Sequence, residues 1–194
     1  MKKKFMAFII ALAMVLVIAG CGKKEDDAAV ETDNGSSSAS VQEEIVKLVN
    51  TDLPGIAGDR DSAVNVYNQY FADGADQDSE AWKTKLETEA LVSYDTYLDN
   101  LNALSYENAE VNNLKDLYVK SSEGQRDAIQ HVVNAISEVN TDELDAAQQS
   151  ITDSQTYLKM YQDELTRLCE SYGIEMIGEF STSTLTDASS TDAE

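Results

Sequence analysis

The chain has 194 residues, 36 acidic and 14 basic side chains and a formal net charge of −22 at pH 7. A surface this acidic repels nucleic-acid phosphates, which excludes DNA or RNA as a partner. The chain has 2 Cys and 1 His, which are too few ligands for a zinc site. Its single histidine also leaves little material for acid–base catalysis. We therefore predict one domain with tails, no cofactor and no enzymatic activity; paired carboxylates are the remaining route to catalysis.

Residues 1–20 have the pattern of an export signal. Lys2, Lys3 and Lys4 form a basic start, and residues 5–19 are an uninterrupted run of apolar or small side chains. The run is shorter than the roughly 20 residues that a helix needs to cross a bilayer, so a permanent membrane span is the weaker interpretation.

The run ends in V-I-A-G-C at residues 17–21, which resembles the lipobox of bacterial lipoproteins. The resemblance implies that diacylglycerol is attached to the sulfur of Cys21 and that a signal peptidase cleaves before Cys21. It also implies that acyl chains hold the protein on the extracytoplasmic face of the cell membrane, where two or more chains give stable anchoring. Cleavage would remove Lys2, Lys3 and Lys4 and leave a still more acidic chain.

The remaining cysteine, Cys169, has no intramolecular partner once Cys21 carries lipid. Cys169 falls on an apolar stripe with Leu165 and Leu168, and free cysteine behaves as a small buried hydrophobic residue. We predict a structural role for Cys169; a reactive thiol is the alternative.

Composition divides the rest of the chain into three parts. Residues 21–40 contain the Cys21 anchor followed by an acidic and Ser-rich stretch with almost no large apolar side chains, which predicts a disordered tether. Residues 179–194 are rich in Ser, Thr and Asp and predict a disordered tail. Residues 41–178 are left as a single helical domain.

Apolar side chains recur at spacings of three and four residues along the domain, which predicts helices. The last helix carries a heptad stripe typical of coiled-coil packing: Leu144, Ala147, Ile151, Ser154, Leu158, Tyr161, Leu165, Leu168 and Tyr172. The helix before it carries Val111, Leu114, Tyr118, Ser121, Gln125, Ile129, Val132, Ile136 and Val139. An earlier stripe runs through Trp82, Leu86, Ala90, Tyr94, Tyr97, Leu98, Leu101 and Leu104.

The first helical segment is less regular, with apolar residues at Val41, Ile45, Leu48 and Val49 and again from Ile56 onward. Pro54 is expected to kink or break it. Asn108, and Asn140 or Thr141, are predicted N-caps, and Gly173 is a predicted left-handed C-cap. Because no segment alternates with period two, we predict an all-α fold, an antiparallel up-down-up-down four-helix bundle with the first helix kinked near Pro54.

The domain also loosely resembles small, uncharacterised all-helical extracytoplasmic lipoproteins of Gram-positive bacteria. The resemblance rests on D-L-P at residues 52–54, Y-N at 67–68, L-Y-V at 117–119 and Y-G-I at 172–174. It spans most of the domain and implies the same helical fold. It carries over no functional residue.

Three features are candidate sites. The first is the acidic loop from Asp73 to Glu80, where Asp76, Asp78 and Glu80 alternate at the spacing with which loop carboxylates can bind Ca²⁺. The alternative is that these acids cap the next helix and interact with its dipole at the N-terminus. His131 lies four residues after Asp127, so the two can share a helix face and hold a metal with help from another helix. A solvated pair is the favoured interpretation, since two ligands are too few.

The third feature is a polar interruption in the apolar stripe at Ser121, Ser122, Gly124 and Gln125. One interpretation is a polar layer or small cavity with tyrosine hydroxyls as partners. The favoured interpretation is purely structural: a helix kink, a register-setting polar layer or a surface-facing stretch. Nine tyrosines suit core margins and binding surfaces alike, with core margins the default: Tyr67, Tyr70, Tyr94, Tyr97, Tyr106, Tyr118, Tyr157, Tyr161 and Tyr172.

These patterns leave two classes of function open. The leading hypothesis is a non-catalytic binding module that contacts a protein or a cationic peptide, since a field this acidic attracts cations. An immunity-type lipoprotein that intercepts cationic antimicrobial peptides is one form of it. The alternative is a small-molecule or metal-ion (Ca-like) binder that uses the polar interior near Ser121 and Gln125 or the loop near Asp76. The ligand-binding residues are unknown at this point.

Overall fold

The structure is a computed structural model that describes residues 17–19, 38–73 and 79–177. The described chain is mostly helical, which confirms the all-α prediction at that level. The first helical segment comprises α1 (Ser38–Lys47), a π-helical turn π1 (Leu48–Asp52) and α2 (Leu53–Asp73). The second comprises α3 (Ser79–Lys85), a π-helical turn π2 (Leu86–Leu91) and α4 (Val92–Ala103). Two long helices follow, α5 (Ala109–Glu138) and α6 (Asp142–Tyr172).

The first segment departs from α geometry next to Pro54, where the sequence predicts an irregularity. Proline has no N–H to donate to the carbonyl one turn earlier, so an ordinary helical bond is lost there. The backbone widens into π1, and the N–H of Leu53 donates to the carbonyl of Leu48. Helix α1 begins at Ser38, before the predicted domain boundary at residue 41.

Asn108 and Gly173 cap the long helices as predicted, whereas Thr141, at the N-cap position of α6, makes no side-chain capping bond. The Oδ1 of Asn108 accepts hydrogen bonds from the N–H groups of Glu110 and Val111 at the start of α5. At the end of α6, Gly173 is left-handed with φ of 66°, and the N–H of the buried Ile174 donates to the carbonyl of Cys169 at 2.8 Å. This bond pattern is a Schellman cap with its usual apolar contact.

The core is formed by the predicted stripes. Helices α5 and α6 lie antiparallel and make the most extensive helix–helix contact, α2 packs on α4 and π2, and α1 contacts α5 and α6. The α6 stripe from Ala147 to Leu168 is buried. Helix α5 runs without a break through Gly124, so the polar interruption is not a helix end.

A short two-stranded antiparallel ribbon joins β1 (Val17–Ala19) to β2 (Glu175–Ile177), with Ile18 opposite Met176. No segment of the sequence predicts a strand. Segments of three residues are too short to give a period-two pattern, so their pairing depends on what the folded helices bring close together.

The prediction that Val139 belongs to the buried stripe of α5 is wrong. Helix α5 ends at Glu138, Val139 takes the left-handed conformation with φ of 52°, and its side chain is 83% exposed. The chain must reverse before α6, and the N–H of Asn140 donates back to the carbonyl of Ala135 at 3.2 Å to close the cap. The cap geometry therefore overrides the apolar period at its last position.

We expect Val139→Gly to stabilise the fold by about 1 kcal/mol, because a β-branched residue in the left-handed region is strained by roughly 1–2 kcal/mol and glycine is not. The exposed valine side chain contributes little packing that would be lost. Urea unfolding followed by circular dichroism measures the change. Val92→Gly, at an exposed position where π2 continues into α4, is the matched control and should destabilise by roughly 0.5 kcal/mol. A Val139→Gly chain less stable than the wild type would contradict this account.

Candidate functional site: a buried arginine and its pocket

The polar interruption of α5 is a buried layer of hydrogen-bonded side chains. The hydroxyl of Tyr94 donates to Oε1 of Gln125 at 2.9 Å, and the hydroxyls of Ser121 and Ser154 lie 3.2 Å apart. Ser122 is buried beside them. Burial raises the pKa of Tyr94, so its phenol stays a protonated donor at neutral pH. Tyrosine hydroxyls therefore accompany the polar residues, as one of the two interpretations had it, and the bonds join α4, α5 and α6.

A buried arginine that the sequence analysis did not identify lies beside this layer. Arg60 of α2 is only 5% exposed. Its Nη1 donates to the hydroxyl of Tyr118 at 2.9 Å, and its Nη2 and Nε donate to Oδ1 of Asp61 at 2.9 and 3.3 Å. The guanidinium carbon lies 6.0 Å from the centre of the Tyr97 ring. Residues of α2, α4 and α5 thus surround one permanent positive charge.

The helical period of the sequence indicates that Arg60 is buried. The apolar stripe has a gap of two turns between Ile56 and Ala63, and position 60 fills this gap, four residues after Ile56 and three before Ala63. An arginine on a stripe that is otherwise apolar is costly to bury unless it has partners. Its placement there is therefore a stronger sign of a site than the exposed acids that the sequence analysis considered.

A pocket of about 40 Å³ opens against this arginine. Its walls come from π1, α2, α5 and α6: Val49, Leu53, Pro54, Ala57, Arg60, Tyr118 and Tyr161. The Tyr118 and Tyr161 rings are 5.0 Å apart, centre to centre. A volume of this size holds about three waters or a ligand of similar bulk.

The pocket lies at the backbone irregularity next to Pro54. Val49 belongs to the π-helical turn, and Leu53 and Pro54 begin the helix after it. A π-helical turn displaces the side chains that follow it from the regular helical positions, and such turns recur at functional sites. The irregularity therefore shapes one wall of the pocket.

Cys169 is buried on α6 and free of disulfides, as the structural interpretation predicted. Burial raises the pKa of its thiol to about 11, so the nucleophilic thiolate is scarce at neutral pH. The alternative of a reactive thiol therefore has no support from its surroundings.

The predicted pairing of His131 with Asp127 is wrong. Nδ1 of His131 lies 2.7 Å from Oε2 of Glu143 in the first turn of α6, and Asn134 donates to the same oxygen at 3.2 Å. Asp127 instead faces Arg126 at 3.9 Å. The hydrogen bond from His131 lowers the pKa of Glu143. The antiparallel turn brings Glu143 closer than a residue on the same helix, so this group joins α5 to α6.

The candidate calcium loop lies largely outside the described residues, because 74–78 are not among them. Within residues 17–19, 38–73 and 79–177, no three His, Cys, Asp or Glu side chains come together as metal ligands.

No helix in the described part of the chain is both long enough and apolar enough to cross a bilayer. Cys21 also lies outside the described residues.

Comparisons with protein families, with curated proteins and with solved structures found no match to this chain.

Proposed function

We propose that this chain is an extracytoplasmic lipoprotein, anchored to the cell membrane through Cys21, that acts as a non-catalytic binding module for a protein or a cationic peptide. The helical segments form an up-down-up-down four-helix bundle whose first helix bends near Pro54. The tether that follows Cys21 holds the bundle away from the lipid surface.

The observation that carries this proposal is an excess of exposed carboxylates that the basic residues leave unneutralised. Most basic side chains of the described chain already pair with nearby acids, among them Lys47 with Asp52, Arg126 with Asp95, Lys159 with Asp163 and Arg167 with Glu110 and Glu164. Within the described chain, several exposed acids have no such neighbour: Glu87, Glu89, Glu123, Glu138 and Asp145. A surface of unpaired carboxylates attracts cationic partners and speeds their association at low salt.

Crosslinking on intact cells tests the proposal. A photo-crosslinking residue at Glu123 or Asp145, both exposed on the long helices, should capture a protein or peptide that mass spectrometry identifies as basic. Capture should fall steeply as salt is raised, because the attraction is screened within about 10 Å at 0.1 M salt.

Gln125→Leu serves as the control that separates the surface from the interior. This substitution alters the buried layer without touching exposed carboxylates, so it should leave crosslinking unchanged. Recovery of no protein or peptide, or recovery that is insensitive to salt, would contradict the proposal.

A further inference from the structure

The guanidinium of Arg60 retains hydrogen-bonding capacity beside the pocket. Arginine has five N–H donors, and the described residues accept from three of them: Nε, one N–H of Nη1 and one of Nη2. One N–H on each Nη is left. A mostly buried cation that keeps two donors at a pocket wall has the fork with which arginine binds planar oxyanions.

Two phenols add donors to the same pocket. The Tyr118 hydroxyl accepts from Arg60, so its own proton is available for donation. Tyr161 is 1% exposed, lines the pocket, and its hydroxyl has no hydrogen-bond partner within the described part of the chain. Burial raises the pKa of Tyr161, which keeps that proton in place.

We propose that the pocket formed by Val49, Leu53, Pro54, Ala57, Arg60, Tyr118 and Tyr161 binds a small monocarboxylate with a short aliphatic tail. The carboxylate bonds to the guanidinium fork and the two phenols, and the tail packs on Val49, Leu53 and Ala57. This site is independent of the acidic surface in the proposed function and stands whether or not that surface has a partner.

Size and charge select this ligand class. A volume of about 40 Å³ holds about three waters, which is close to the size of acetate; propionate, with five non-hydrogen atoms, places the end of its tail at the open side of the pocket. Tetrahedral phosphate brings up to two negative charges against a single guanidinium in a chain of net charge −22. Asp61, whose side chain is 65% exposed, neutralises Arg60 only weakly because solvent screens it. For so small a ligand we expect a dissociation constant no tighter than roughly 10⁻⁵ M.

The test is a titration of the full chain, solubilised in detergent, with sodium propionate at constant ionic strength, followed by saturation-transfer NMR on the propionate methyl. We expect saturable binding, and no saturable binding of propionamide, which has the same shape without the charge. Tyr161→Phe removes only a hydroxyl that bonds to no described residue. It should leave the unfolding midpoint unchanged in the absence of ligand and weaken propionate binding about tenfold or more.

Tyr67→Phe is the matched control, since Tyr67 is also 1% exposed and its hydroxyl likewise lacks a described partner, but it does not line the pocket. This variant should bind propionate as the wild type does. Propionate binding that does not saturate, equal binding of propionamide, preferred binding of inorganic phosphate, or wild-type affinity in Tyr161→Phe would each overturn the proposal.

Discussion

Replacing Cys21 with alanine is expected to abolish the incorporation of radiolabelled palmitate into this chain and to release it from the membrane fraction. Cys21 supplies the only sulfur to which diacylglycerol can attach at the V-I-A-G-C motif. Without acyl chains the anchoring free energy of about 0.8 kcal/mol per buried CH₂ is lost entirely. The described helices provide no substitute, since none of them is apolar and long enough to span a bilayer.

Cys169→Ala is the matched control for this experiment. The second cysteine is buried on α6, so its replacement should leave labelling and sedimentation intact. A Cys21→Ala chain that still incorporates palmitate and still sediments with membranes would show that the lipid is attached elsewhere or that the motif has no such role.

Processing at Cys21 would also change the fold that the full chain adopts. Strand β1 comprises Val17–Ala19, upstream of the cleavage point, and it pairs with β2 at Glu175–Ile177. Cleavage before Cys21 would remove β1, and β2 would then lack this partner. The helical core does not depend on the ribbon, because its buried side chains come from the helices and from Ile174.

The fold was predictable where burial alone decides the structure. The α6 stripe is buried as predicted because a period of three and four residues reports which face of a helix lies against the core. Asn108 and Gly173 were identifiable as caps because their chemistry acts on neighbouring residues in the chain. Such local signals do not depend on which helix packs where.

The candidate site was harder to predict because it depends on contacts between helices. The interrupted stripe left both an interior layer and a surface-facing stretch open for Ser121 and Gln125. No sequence pattern pairs Tyr94 with Gln125 or Arg60 with Tyr118. Glu143 reached His131 only through the antiparallel turn. Periodicity identifies which residues are buried, whereas the partner of a buried polar group is fixed by the helix arrangement.

The same limit explains why the sequence left a kink at Gly124 open, whereas in the structure Gly124 lies where α5 and α6 are in close contact. A Cβ atom added at Gly124 would lie 2.9 Å from the carbonyl oxygen of Ser150 and 3.0 Å from Cβ of Ser154. The obstructing oxygen belongs to the backbone, which cannot rotate away as a side chain can. The absence of a side chain is therefore what permits the Ser121–Ser154 hydrogen bond and the contact around it.

Gly124→Leu is expected to destabilise the fold by about 3 kcal/mol or more, because an overpacked interface costs about 1–3 kcal/mol even where side chains can adjust. Gly124→Ala should already be destabilising, although alanine favours a helix over glycine by about 1 kcal/mol. The matched control is Gly58 of α2, where an added Cβ meets nothing within 4 Å, so Gly58→Ala should stabilise by about 1 kcal/mol. Urea unfolding of the three variants measures these changes. Opposite signs for the two alanine substitutions would support the close approach of α5 and α6, whereas a stabilised Gly124→Ala chain would place the helices further apart.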